Sequence, residues 1–144
     1  MKKEEKDLLL KDLCARLPYG VKCYIPEAND TSILAAVSED GENTLFDFWE
    51  DSRKIQYWHQ LYISEFKPYL FPLSSMSDEQ KKYVTDRWGI NENFDFEIDP
   101  NWGEYFVELG DTLGFINWCY ENHLDINDLI PNGLAIDATG LNIY

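Results

Sequence analysis

Two prolines four residues apart, Pro68 and Pro72, sit in the run Lys67-Pro-Tyr-Leu-Phe-Pro-Leu-Ser-Ser-Met76. Each fixes φ and removes a backbone donor, so the run excludes both a helix and a central strand. It predicts an extended crossing of the domain from Glu65 to Met76, pinned by Phe66, Tyr69, Leu70, Phe71 and Leu73. Other elements must be arranged before and after it.

Before it, Leu9, Leu13 and Leu17 recur every four residues, with Leu10 alongside, and predict a helix over about 4–17. Pro18-Tyr19-Gly20 stops that helix. Val21, Cys23 and Ile25 alternate with polar neighbours, as a half-buried strand requires. Ser32–Val37 and Thr44–Trp49 read as a hairpin, with Asp40-Gly41 supplying positive φ at the turn. Lys54–Ser64, rich in Tyr, Trp and Ile, reads as a fourth strand. Together these predict a small, bent, partial-barrel-like antiparallel sheet.

After the prolines, Ser77-Asp-Glu-Gln80 is a capping box opening a helix to about Trp88, which Gly89 ends. A long helix is expected over about 104–123, with Tyr105, Leu109, Ile116 and Tyr120 on one face and Phe106, Leu113 and Cys119 beside them. Gly110 and Gly114 within it mark either a break near 110–112 or a close approach by another group. Asp125–Ile130 suggests one short helical turn, and Leu134–Asp137 a last strand. The order predicts one α+β domain over 1–144: an N-terminal helix, a sheet of about four strands, and C-terminal helices packed on it.

The chain has 144 residues and a net charge of −15. All 12 bases lie at or before Arg87; Trp88–Tyr144 holds 11 carboxylates and no Lys or Arg. Nucleic-acid binding needs cations that displace counterions, so this surface excludes direct contact with DNA or RNA and with anionic lipid. The acidic half reads as a solubilising and steering charge, or as a docking face for a basic protein partner. The longest apolar run, Ile33–Val37, is far too short to span a membrane. The N-terminal lysines precede no apolar stretch of signal-peptide length, and Cys14, Cys23 and Cys119 form no C-x-x-C, so a reduced cytoplasmic protein is expected.

Candidate chemistry is sparse, and no cofactor is implied. Asp95, Glu97 and Asp99 alternate, sharing one face if extended, and would offer oxygen ligands to Ca²⁺ or Mg²⁺. They form no calcium loop, since Pro100 stands at the turn glycine and Phe106 at the bidentate Glu. The bland reading is a solvated acidic edge. Cys119 and His123 share a helical face and make half a zinc site, a nucleophile with its base, or a packed thiol beside a helix-end imidazolium. Ser74 and Ser75 would need His59 or His123 brought to them in space. Trp49, Tyr57, Trp58, Tyr62, Tyr69 and Phe71 crowd one stretch, as core filling or as an aromatic partner-binding surface.

Three blocks, Leu8–Lys22, Lys67–Met76 and Ile116–Ile136, cover about a third of the chain. In this order they resemble a family of small proteins from Bacteroides-group bacteria and their phages and mobile elements. The resemblance implies a cytoplasmic, phage-borne context and carries over no catalytic residue. The expectation is a non-catalytic protein-interaction module, in its sharper form an acidic inhibitor that mimics nucleic acid. The alternative is a small divalent-cation-dependent enzyme using Asp95, Glu97 and Asp99.

Overall fold

A computed structural model of the chain describes residues 1–41, 43–49, 60–89 and 109–144. Helix α1 spans Lys3–Arg16, and a 3₁₀ turn at Leu17–Tyr19 ends on Gly20 at φ 71°. Strands β1 (Lys22–Ile25), β2 (Asp30–Asp40) and β3 (Asn43–Trp49) follow. Then come β4 (Lys67–Leu70), α2 (Asp78–Trp88), α3 (Leu109–Glu121) and β5 (Ile136–Asp137). The fold is α+β, and among the described residues no helix is long and apolar enough to cross a membrane.

The strands form one sheet in the order β3-β2-β1-β4-β5, five strands rather than about four, antiparallel except for the β4–β5 pair. The β2–β3 hairpin turns at Gly41, φ 63°, where a side chain would be strained. Its register shifts between Leu34 and Ala36, a bulge that bends the sheet. The fourth strand expected over Lys54–Ser64 is not found where the chain is described. Leu61 makes a single bridge to Phe46, Ile63 and Ser64 turn, and residues 54–59 lie outside the described residues.

Its place is taken by the proline run, which is extended as expected but lies inside the sheet between β1 and β5. Backbone parity explains how a proline is tolerated there. Leu34 N–H donates to the Val21 carbonyl, so Val21, Cys23 and Ile25 point their polar groups at β2, and Lys22 and Tyr24 point theirs at β4. Pro68 lies opposite Cys23, where no ladder bond to β1 is called for. On its other side, β5 pairs only from Tyr69 onward. The missing N–H therefore falls where neither neighbour needs it.

One face of the sheet packs on α1. Leu9, Leu13, Val21, Cys23, Ile25, Leu34, Phe46, Phe48 and Leu70 are buried together. Phe66 wedges against Phe46 and Phe48 at 5.0 and 4.9 Å between ring centroids. A second cluster joins Met76, Val84, Cys119 and Leu124, ringed by Phe71, Trp88, Phe115 and Trp118 between α2 and α3. The capping box that opens α2 is made as predicted, with Ser77 N–H on Gln80 Oε1 at 3.0 Å and Gln80 N–H on Ser77 Oγ at 3.2 Å. Helix α3 runs unbroken through Gly110 and Gly114. A Cβ on Gly114 would stand 3.3 Å from the Trp88 indole nitrogen, so the glycine serves close approach. Leu113, expected on the buried side, is exposed. No helical turn forms at Asp125–Ile130. Instead the buried Asp125 carboxylate accepts from Leu129 N–H (2.8 Å) and Ile130 N–H (2.9 Å) and holds an irregular turn.

The inner stripe of α1 is Leu9, Asp12, Leu13 and Arg16, so a charged pair joins the leucines there, while Leu17 packs half-buried against the same core. Both side chains are fully buried. Arg16 donates from Nε to Asp12 Oδ1 (2.5 Å) and from Nη2 to Asp12 Oδ2 (3.0 Å) and to the Leu124 carbonyl (2.7 Å). Its guanidinium lies 4.9 Å from the Tyr120 ring centroid, and Asn127 Nδ2 donates to Asp12 at 2.9 Å. Removing one member strands the other's charge, which costs about 3–5 kcal/mol, whereas an apolar pair of matching volume is nearly neutral. Urea denaturation of Asp12→Ala and Arg16→Met should show losses of that size. Asp12→Leu combined with Arg16→Met should recover most of it.

Candidate functional site

The end of α3 carries an unusual cap. His123 takes the left-handed conformation at φ 60°, a position normally given to glycine. His123 N–H reaches the Tyr120 carbonyl (3.1 Å) and Leu124 N–H reaches that of Cys119 (2.9 Å), the two bonds of a Schellman motif. Phe71 then clasps the cap: its N–H donates to His123 O (2.8 Å), and its carbonyl accepts from Asp125 N–H (2.8 Å). The imidazole is thereby held outward from the helix end and stacks on Tyr144, with centroids 3.6 Å apart and planes 14° from parallel.

Tyr144 is itself anchored in the sheet. Lys22 N–H donates to its hydroxyl (2.9 Å), which donates in turn to the Tyr69 carbonyl (2.9 Å). Lys22 and Tyr69 are the next pair the β1–β4 register would bring together, so the phenol fills a gap in the ladder. Lys22 Nζ lies 5.6 Å from the phenol centroid and donates to Ile143 O at 2.6 Å. Around His123 and Tyr144 opens a cleft of about 360 Å³, completed by Phe71, Ser75, Gln80, Glu121, Asn122 and Leu124.

Burial favours the neutral forms of the titratable rings and thiols in and behind the cleft. Burial, with Arg16 and then Lys22 adding to it, brings the His123 pKa down to about 4. The ring is therefore neutral at pH 7, not the helix-end imidazolium of the sequence reading. Its Nδ1 is buried with no hydrogen-bond partner among the described residues. Burial pushes the Cys119 thiol up to about 12, against a smaller lowering by Arg16, so it is a packed group and no nucleophile. Burial also raises the Tyr144 hydroxyl and the Cys23 thiol.

The structure distributes the sequence candidates widely. His123 and Ser75 do line one cleft, but Ser75 Oγ donates to the Pro72 carbonyl at 2.7 Å instead of to the imidazole. Of the aromatic set, Tyr62 is 50% exposed, Trp49 and Phe71 are half-buried, and Tyr69 is 8% exposed, its ring edge-on to Tyr24. Tyr57 and Trp58 lie outside the described residues, as do His59 and the proposed cation ligands Asp95, Glu97 and Asp99. Among the described residues, no three His, Cys, Asp or Glu side chains come together as a metal site. Sequence reasoning missed Tyr144 and Asn122. Tyr144 had no signal, since its partners are 75 and 122 positions away.

Three measurements probe this site. Observed by NMR, the His123 ring should titrate near pH 4; a midpoint at 6 or above contradicts its burial. The unfolded chain takes up that proton near 6.5. Stability should therefore fall as pH drops from 6.5 toward 4, because only the unfolded state gains the proton. His123→Asn, which tolerates the left-handed backbone, should lack this component. Tyr144→Phe leaves Lys22 N–H and Tyr69 C=O unbridged and should cost about 1–2 kcal/mol in urea denaturation.

Comparisons of the chain with protein-family models, with curated proteins and with solved structures find no match, so the reading of the site rests on its own geometry.

Proposed function

We propose that the chain is a non-catalytic interaction module, acting in the cytoplasm in a phage or mobile-element setting, that docks on a basic protein. In its sharper form it is an acidic inhibitor that occupies a nucleic-acid-binding surface. One observation carries the reading: the half of the chain from Trp88 onward has 11 carboxylates and no Lys or Arg. Four of these carboxylates lie on described side chains. Glu121, Asp128 and Asp137 are exposed, and Asp125 alone is buried for internal use. A field of one sign steers a partner of the other and fixes its orientation. Apolar contact is available from exposed Tyr83, stacked on Trp118 at 5.6 Å, and from exposed Leu113. The buried Cys23 and Cys119 thiols and the neutral His123 leave these groups unsuited to nucleophilic or acid–base work at pH 7.

The test is a tagged pull-down from host lysate at low and high salt. A basic partner retained at low salt and released near 1 M, where the Debye length is about 3 Å, is the expected result. A DNA-binding partner should also lose its DNA when this protein is added. A partner indifferent to salt argues for the aromatic surface and against the acidic one. No partner in either condition counts against the reading.

A further inference from the structure

Hydrogen-bond accounting at the His123 cleft shows what it is built to accept. The backbone N–H groups of Phe71, Ser75, Gln80, Asn122, His123 and Leu124 all donate within the protein. The Ser75 hydroxyl proton goes to Pro72 O and that of Tyr144 to Tyr69 O. Asn122 spends one amide proton on Trp118 O at 2.9 Å. Gln80 has its carbonyl held by Ser77 N–H. The donors left are its amide nitrogen and the second Asn122 proton. Against them stand the Glu121 carboxylate, the Ser75 oxygen lone pairs and the Asn122 carbonyl, and the imidazole offers Nε2 alone because Nδ1 is buried. Among the described residues lining the cleft, Glu121 carries the only full side-chain charge. Lys22, whose ammonium lies 5.6 Å from the Tyr144 ring centroid, donates to Ile143 O and, with Arg16, acts on the imidazole from behind the lining. Free acceptor lone pairs thus outnumber free N–H donors, and the one charge on a lining side chain is negative.

An anion would find no cation among the lining side chains. A planar cation with several donors and no acceptor matches the surplus, and a guanidinium presents five N–H groups and is more weakly hydrated than an ammonium. Phe71 and Leu124 give an apolar wall for an alkyl stem. A volume of about 360 Å³ holds a stem and its head group together. We infer that this cleft receives an arginine side chain presented by the basic protein partner. The inference rests on the proposed function for its partner, but it is tested without that partner.

The experiment titrates the full chain with N-acetyl-arginine methylamide and follows the His123 and Tyr144 ring resonances by NMR. Saturable shifts of both rings are expected. The citrulline analogue, equal in shape but uncharged, should bind several-fold more weakly. Methylguanidinium, which lacks the stem, should bind more weakly as well. Glu121→Gln, an exposed substitution whose melting temperature is checked alongside, should weaken the arginine probe by about two- to fivefold. The inference is overturned if neither ring shifts, if citrulline or N-acetyl-glutamate binds as well as arginine, or if Glu121→Gln changes nothing. Binding of methylguanidinium as tightly as the arginine probe overturns the assignment to a protein side chain. Each of these failures leaves the salt-dependent pull-down standing, so the two readings fail separately.

Discussion

The buried ion pair of Asp12 and Arg16 is the contact on which the arrangement of this fold turns. It lies on the inner face of α1, yet its third bond goes to the Leu124 carbonyl, 108 positions away. Leu124 is the residue that closes the α3 cap, and Tyr120 and Asn127 complete the pocket around the pair. An apolar side chain at position 16 would fill the same space without choosing a direction. A guanidinium with fixed donor geometry demands particular acceptors, so it sets where the C-terminal segment meets the helix. Its charge also reaches outward, helping to keep the neighbouring His123 neutral.

That docking has consequences for the sheet and the cleft. Once the α3 cap is seated, Phe71 pairs with it on both sides of Leu124, which fixes the end of β4 against the helix terminus. The same strand takes β5 along its free edge, with Ala138 N–H on the Leu70 carbonyl at 2.8 Å. Tyr144 then plugs the ladder between β1 and β4 and lies flat on the imidazole. The cleft is the space left between these constraints. Its donors were consumed in building them, which is why its free groups are mostly acceptors.

Local elements were legible because their causes are local. The Ser77–Gln80 box, the glycine after Trp88, the Gly41 turn and the alternation through Cys23 depend on neighbours within a few residues, and each stands where it was read. The proline run is extended, as its chemistry predicts, but it lies in the sheet interior, which proline chemistry alone argues against. Proline's cost depends on which way its nitrogen faces, and that is set by the parity of β1 against β2. Arg16 was likewise invisible as a core residue. At four positions from Asp12 it resembles an ordinary surface pair, and only the distant Leu124 carbonyl makes its burial tolerable.

By itself, the sequence determined the α+β class, the caps and turns, and the segregation of negative charge into the second half. These follow from periodicity, backbone chemistry and composition, which need no knowledge of what packs where. Tertiary structure alone decided that a proline strand lies within the sheet, that an ion pair is sealed beneath α1, and that His123, Ser75 and Tyr144 share a cleft. Each of those depends on groups brought together from opposite ends of the chain. Their hydrogen bonds and desolvation are defined only when the partner is in place, and no pattern within a single segment encodes the partner.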